Sequence, residues 1–185
     1  MLNDIRKSLL HIKKWQVQND EMDSKTKFIY ECSSYLEVIS LADHYWVSYE
    51  YALCRRYNFA TSKQCEEIFC KYWAVPEVNE KDHDIDFYIN GVPFDLKLTV
   101  LSNQYHWPKP VWRISKNKYI QRLRENASTE WRSWNNNRLY IVVGSREEKS
   151  DFVRIDKAIC EYMNYVKDNW FNEIDGIKSD VIYLS

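Results

Sequence analysis

"HDIDFYINGVPFDLKLTV", residues His83 to Val100, decides how this chain is read. Two apolar runs flank Asn90-Gly91, a dipeptide that favours a two-residue type I′ turn because both central residues must take positive φ. With the loop set at two residues the pairing follows. Ile89 lies opposite Val92, Phe87 opposite Phe94, Asp86 opposite Asp95, and Asp84 opposite Lys97. Side chains alternate along a strand, so Ile85, Phe87 and Ile89 with Phe94, Leu96 and Leu98 form one apolar face. The four charged residues share the other. A slip of one residue would bury the charges, so the register is strongly specified.

Counted from the turn, Asp86 and Asp95 form a non-hydrogen-bonded pair, where Cβ atoms come within roughly 4.5 to 5.5 Å. Two carboxylates that close share a proton, splay into water, or bind a cation. A hard divalent ion such as Mg²⁺, with Mn²⁺ as a substitute, takes oxygen ligands and keeps several waters, which suits two Asp side chains. Lys97 points into the same space and can orient a water or neutralise charge developing on a phosphate. Without a cation the two carboxylates repel, so removing one is expected not to cost stability. The layout is that of phosphodiester hydrolysis.

The rest of the chain frames this hairpin. At 185 residues, 45% hydrophobic and 16% aromatic, it holds enough apolar material for a substantial core. With 26 Lys and Arg against 27 Asp and Glu the net charge is -1, so any polyanion site must be local. Five cysteines, Cys32, Cys54, Cys65, Cys70 and Cys160, form no CxxC pair, which argues against a zinc site and a disulfide framework and for reduced thiols. No apolar run approaches the ~18 residues of a membrane span. The chain is read as soluble and cytoplasmic.

Helical spacing dominates the first half: Ile5, Leu9 and Ile12; Phe28, Cys32, Leu36 and Ile39; Trp46, Leu53 and Tyr57. Thr61 and Gln64 look like a capping box that starts a further helix through Cys65, Ile68, Phe69 and Tyr72. From about residue 75, strands are expected at "AVPEV", "DIDFYI", "VPFDLKLTV" and "RLYIVVG", with an amphipathic helix in "SKNKYIQRLRENAS". A helix through "DKAICEYMNYVKDNW" and a strand at "DVIYLS" close the chain. The expected division is a helical extension over residues 1–60, packed on a mixed α/β core over residues 61–185.

Asp86, followed on the next strand by Asp95-Leu96-Lys97, together with the order of elements around them, resembles the PD-(D/E)XK nuclease superfamily. The resemblance covers roughly residues 62–145. It implies a restriction-endonuclease-like αβββαβ core and a Mg²⁺-dependent endonuclease. Asp86 and Asp95 would hold the metal, the backbone carbonyl of Leu96 would add a ligand, and Lys97 would serve the attacking water. Asp84 is a second claimant for the first acidic position, and Glu50 or Glu66 could supply the helical Glu that many members add.

Other readings stay open. The charged face can be a solvated sheet face, although Asp, a poor strand former, occurs there three times. In "KPVWRISKNKYIQRLR", Lys109, Arg113, Lys116, Lys118, Arg122 and Arg124 are interleaved with Trp112 and Tyr119, close after Trp107. They suit a nucleic-acid surface, or a basic helix face that balances the acidic hairpin. His83 and His106 lie near these motifs, where a lone His is most simply a surface residue. The expected partner is nucleic acid, DNA ahead of RNA, and the N-terminal helices could dimerise, read the target or cover the sheet. The alternatives to an enzyme are a catalytically inactive member of the same fold, acting as a nucleic-acid-binding or assembly subunit, and a metal-binding regulatory domain.

Overall fold

A computed structural model describes residues 2–79, 82, 84–101, 116–127 and 136–184. Its contacts divide the chain into two units, residues 1–64 and 65–185. Long helix α4, Tyr49–Lys71, runs through the boundary. The capping-box reading of Thr61 is therefore corrected. Thr61 is buried in mid-helix, and its Oγ1 donates to the Tyr57 carbonyl at 2.8 Å. A Thr hydroxyl can satisfy itself on the preceding turn as readily as it can cap, so Thr-x-x-Gln alone does not mark a start.

In the first unit, α1 (Leu2–Leu10), α2 (Asp20–Lys25) and α3 (Tyr35–His44) precede α4. The stripe Phe28, Cys32, Leu36 and Ile39 is not one helix. A 3₁₀ turn over Lys27–Tyr30 ends it early, and Ser34 then caps α3 by accepting the Glu37 N–H on its Oγ at 3.2 Å. The Glu37 carboxylate in return takes the Ser33 N–H at 2.7 Å. Ile29, Cys32, Val38, Ala42, Ala52 and Leu53 form the core of this unit. Arg55, only 8% exposed, is held by the Asp23 carboxylate and by the oxygens of Thr26 and Tyr30. A buried guanidinium needs such partners.

The second unit is built on a six-stranded mixed sheet: β1 (Val75–Pro76), β2 (Phe87–Ile89), β3 (Val92–Val100), β4 (Arg138–Val143), β5 (Glu173–Ile174) and β6 (Ile177–Tyr183). The spatial order is β1-β2-β3-β4-β6-β5. The first three strands are antiparallel neighbours, whereas β3, β4 and β6 run parallel. Parallel neighbours need crossovers. Helices α5 (Lys116–Ala127) and α6 (Phe152–Asp168) lie between them in sequence. This is the mixed α/β class that the sequence implies.

The turn is as expected: φ is 52° at Asn90 and 74° at Gly91, and Ile89↔Val92 and Phe87↔Phe94 are in register. Asp175-Gly176 makes a second turn of this kind, closing Ile174↔Ile177 and adding the short edge strand β5. Every residue of β4 is buried, as befits a central parallel strand. On one face Phe94, Leu96, Leu98, Leu139, Ile141 and Val143 join Phe69 of α4 and Ile159 and Met163 of α6 in the main core. On the other face Tyr140 and Val142 pack with Ile120 of α5 in a smaller cluster. That second face carries the charged residues of β3.

Candidate functional site

Strand β3 runs past the end of its partner. The β2–β3 ladder closes at Phe87↔Phe94, one pair short of Asp86 and Asp95. The Asp86 N–H also donates to the Phe94 carbonyl, at 2.9 Å, so Asp86 leaves the ladder instead of extending it. Leu96 is thus left with an N–H that has no strand to receive it. The Asp86 carboxylate takes its place: Oδ2 accepts the Leu96 N–H at 2.6 Å. A charged acceptor on an orphaned backbone donor is among the stronger hydrogen bonds in a protein. In an extended strand a residue's N–H and C=O leave on the same side, so the Leu96 carbonyl also leaves towards Asp86.

Asp95 is 5% exposed, and cations approach both of its oxygens. Lys97 Nζ donates to Oδ1 at 2.6 Å, and Arg138 Nε lies 3.0 Å from Oδ2. The first contact follows from alternation, since residues two apart on a strand share a face. The second follows from the parallel ladder, in which Asp95↔Arg138 and Lys97↔Tyr140 are partners. The Arg138 pair is buried on both sides, each side chain 7% exposed, whereas the Lys97 side chain is 46% exposed and reaches the surface. Breaking a buried pair strands its partner's charge and typically costs ~3–5 kcal/mol. Arg138 therefore reverses the expectation that Asp95 can be removed without loss of stability.

The other named residues distribute as follows. Asp84 is exposed and takes no part in an ion pair with Lys97; its N–H donates to Asp82 Oδ1 at 2.9 Å. Glu50 belongs to the first unit, where Oε1 accepts the Lys13 N–H at 3.0 Å. Glu66 lies on α4 near enough to Cys65 to help raise that thiol, which burial pushes up to about 12. Of the basic residues on α5, Lys118 and Arg122, four apart on one face, are exposed. Lys116 pairs with the buried carboxylate of Asp180. Arg124 turns inward and is 5% exposed, so the four do not make one continuous basic surface. His83, His106, Trp107, Lys109, Trp112 and Arg113 lie outside the described residues.

Sequence reasoning missed Arg138 and Tyr140. They alternate with Leu139 and Ile141 at the start of "RLYIVV", a pattern visible in the sequence, but no tight turn sets a parallel register, so nothing local pairs Arg138 with Asp95. Tyr140 is buried, and desolvation raises its phenol against the opposing pull of Arg138 and Arg124. The face thus gathers Asp95, Lys97, Arg138, Tyr140 and Arg124, with Asp86 at its edge.

The oxygen donors fit a hard divalent ion in kind. Among the described residues no three His, Cys, Asp or Glu side chains gather into a metal-holding group. An ion at Asp86 and Asp95 would accordingly complete its shell with the Leu96 carbonyl and water. Among the described residues, too, no helix is long and apolar enough to cross a membrane. Comparison with protein-family models, with curated proteins and with solved structures finds no match to this chain.

Proposed function

We propose that this protein is a metal-dependent phosphodiesterase acting on nucleic acid, DNA ahead of RNA, with Asp86, Asp95 and Lys97 at its centre. The observation that carries the reading is the Lys97 ammonium, 2.6 Å from Asp95 Oδ1 and half exposed, beside a second carboxylate that is anchored on Leu96. The order of elements, α4 then β1, β2, β3, α5 and β4, is the αβββαβ order of a restriction-endonuclease-like core and supports the same reading. Asp86, Asp95 and the Leu96 carbonyl would hold Mg²⁺ or Mn²⁺. Bound there, the ion supplies a Lewis acid and a water of lowered pKa. Lys97, whose side chain is 46% exposed, orients the water and stabilises charge on the phosphate. Exposed Lys118 and Arg122 meet the backbone of the nucleic acid.

A second reading, a non-catalytic nucleic-acid-binding subunit of the same architecture, is favoured by one specific contact. Arg138 gives Asp95 a buried structural partner, and a carboxylate neutralised by two cations has less need of a metal.

Metal binding and turnover separate the two. Calorimetry with Mn²⁺ should show a site in wild type and in Lys97→Ala that is lost in Asp86→Ala. Cleavage of single-stranded, double-stranded and branched DNA and of RNA should fall by ~10² to 10³ in Lys97→Ala, the usual cost of one preorganised charge. Equal Mn²⁺ binding in all three proteins, or wild-type cleavage by Lys97→Ala, refutes the enzyme. Nucleic-acid binding without cleavage under either metal selects the subunit.

A further inference from the structure

The two cations on Asp95 sit on different oxygens and in different surroundings. Lys97 Nζ donates to Oδ1 at 2.6 Å, and the Arg138 guanidinium forms an ion pair with Oδ2, its Nε 3.0 Å away. Arg138 belongs to β4, every residue of which is buried, and the parallel register sets it directly beside Asp95. Lys97 lies two residues along β3 from Asp95, on the same face, with a side chain 46% exposed against 7% for Arg138.

This difference decides which oxygen can change partner. Were Arg138 to withdraw, its guanidinium would stay buried without a counter-charge, an arrangement proteins tolerate poorly. Were Lys97 to withdraw, its ammonium would pass into water, and Asp95 would keep Arg138. Oδ2 is therefore committed and Oδ1 exchangeable. A divalent ion that joined Lys97 at Oδ1 would bring like charges within a few ångströms of each other, in a place where water screens them little. Lys97 and such an ion exclude one another.

We propose that Arg138 is a positioning residue, holding Asp95 by Oδ2, and that Lys97 is a built-in counterion that reserves Oδ1 and competes with the divalent ion for it. The inference deepens the phosphodiesterase reading by stating how its metal position is regulated, and it rests on that reading for the ion. Lys97 then has opposite effects on binding and on turnover: it weakens the hold on the metal and serves the reaction once displaced.

The test is Mn²⁺ calorimetry on the full chain at one ionic strength, with no nucleic acid present, beside a separate cleavage assay. Lys97→Met should tighten Mn²⁺ binding ~5- to 10-fold, the worth of one ion pair on a carboxylate that keeps its other partner. Lys97→Arg, which keeps the charge, should bind Mn²⁺ no more tightly than wild type. Binding by Lys97→Met where wild type shows none sustains the competition as well. Equal or weaker binding in Lys97→Met, or tighter binding in Lys97→Arg, overturns it and leaves the phosphodiesterase reading standing if wild type cleaves. Tighter binding in Lys97→Met, in a protein whose wild type cleaves nothing, sustains the competition and removes the enzyme. No Mn²⁺ binding by any of the three proteins overturns both.

Discussion

At the scale of single residues, this chain places several ionisable groups where water does not reach, and each is settled differently. Asp95 is settled by two cations and Arg55 by a ring of oxygens. Lys149, 8% exposed in the turn Glu147–Ser150, shifts in its own ionisation: burial, helped by Arg146, pulls its amine down to about 8 from 10.5. A folded pKa below the unfolded one means that the unfolded chain binds more protons between those values, so stability rises with pH from about 8 towards about 10.5. Below that window the full penalty stands, on the order of 3 kcal/mol. Lys149→Met should therefore stabilise the protein by about 1–3 kcal/mol at pH 7 and by much less at pH 10, read from urea melts at both values. An equal gain at both would mean that the amine is not desolvated.

At the scale of elements, α4 and the β2–β3 hairpin show how far a local signal reaches. Thr-x-x-Gln at residues 61–64 carries the wording of a helix start, yet the helix runs on through it, because the Thr61 hydroxyl bonds back to the Tyr57 carbonyl of the preceding turn instead of capping. The two alternatives predict opposite behaviour for Ser62→Pro. After an N-cap at Thr61, Pro would sit at the first helical position, where it is welcome. Inside α4 it removes a hydrogen bond and should cost ~3 kcal/mol, with a loss of helical signal by circular dichroism. A variant as stable as wild type would restore the helix start. The hairpin behaves the other way. Asn90-Gly91 states the turn, and the apolar face of Phe87, Ile89, Phe94 and Leu96 agrees with it, so local and tertiary preferences coincide. Asp175-Gly176 carries the same signal for β5, a turn that sequence reasoning did not single out.

At the scale of the whole molecule, the second unit depends on a layered core that joins distant parts of the chain. Phe69 of α4 stacks on Phe87 of β2 with ring centroids 4.7 Å apart and meets Tyr162 of α6 edge-on at 6.5 Å. Removing it takes a fully buried ring from the point where a helix, the hairpin and the last long helix meet. Phe69→Ala should cost ~3–5 kcal/mol, seen as a lower urea midpoint. A loss below ~1 kcal/mol would show that these layers do not share one core.

The sequence by itself determined the elements and their class. Alternation with a two-residue turn set the β2–β3 register, helical periodicity located α5 and α6, and both carboxylates of the candidate site were named from them. These are local facts, since adjacent residues joined by a short turn have one register that keeps charges out of the core. Tertiary structure decided the surroundings. Asp86 turned to the Leu96 N–H because β2 stops short, Arg138 came beside Asp95, and Arg124 turned in over Tyr140 while Lys118 and Arg122 stayed out. None of this is local: a parallel pair such as β3 and β4 is joined by a long crossover, and its register follows from how Leu139, Ile141 and Val143 fill the core against helices on either side of them in sequence.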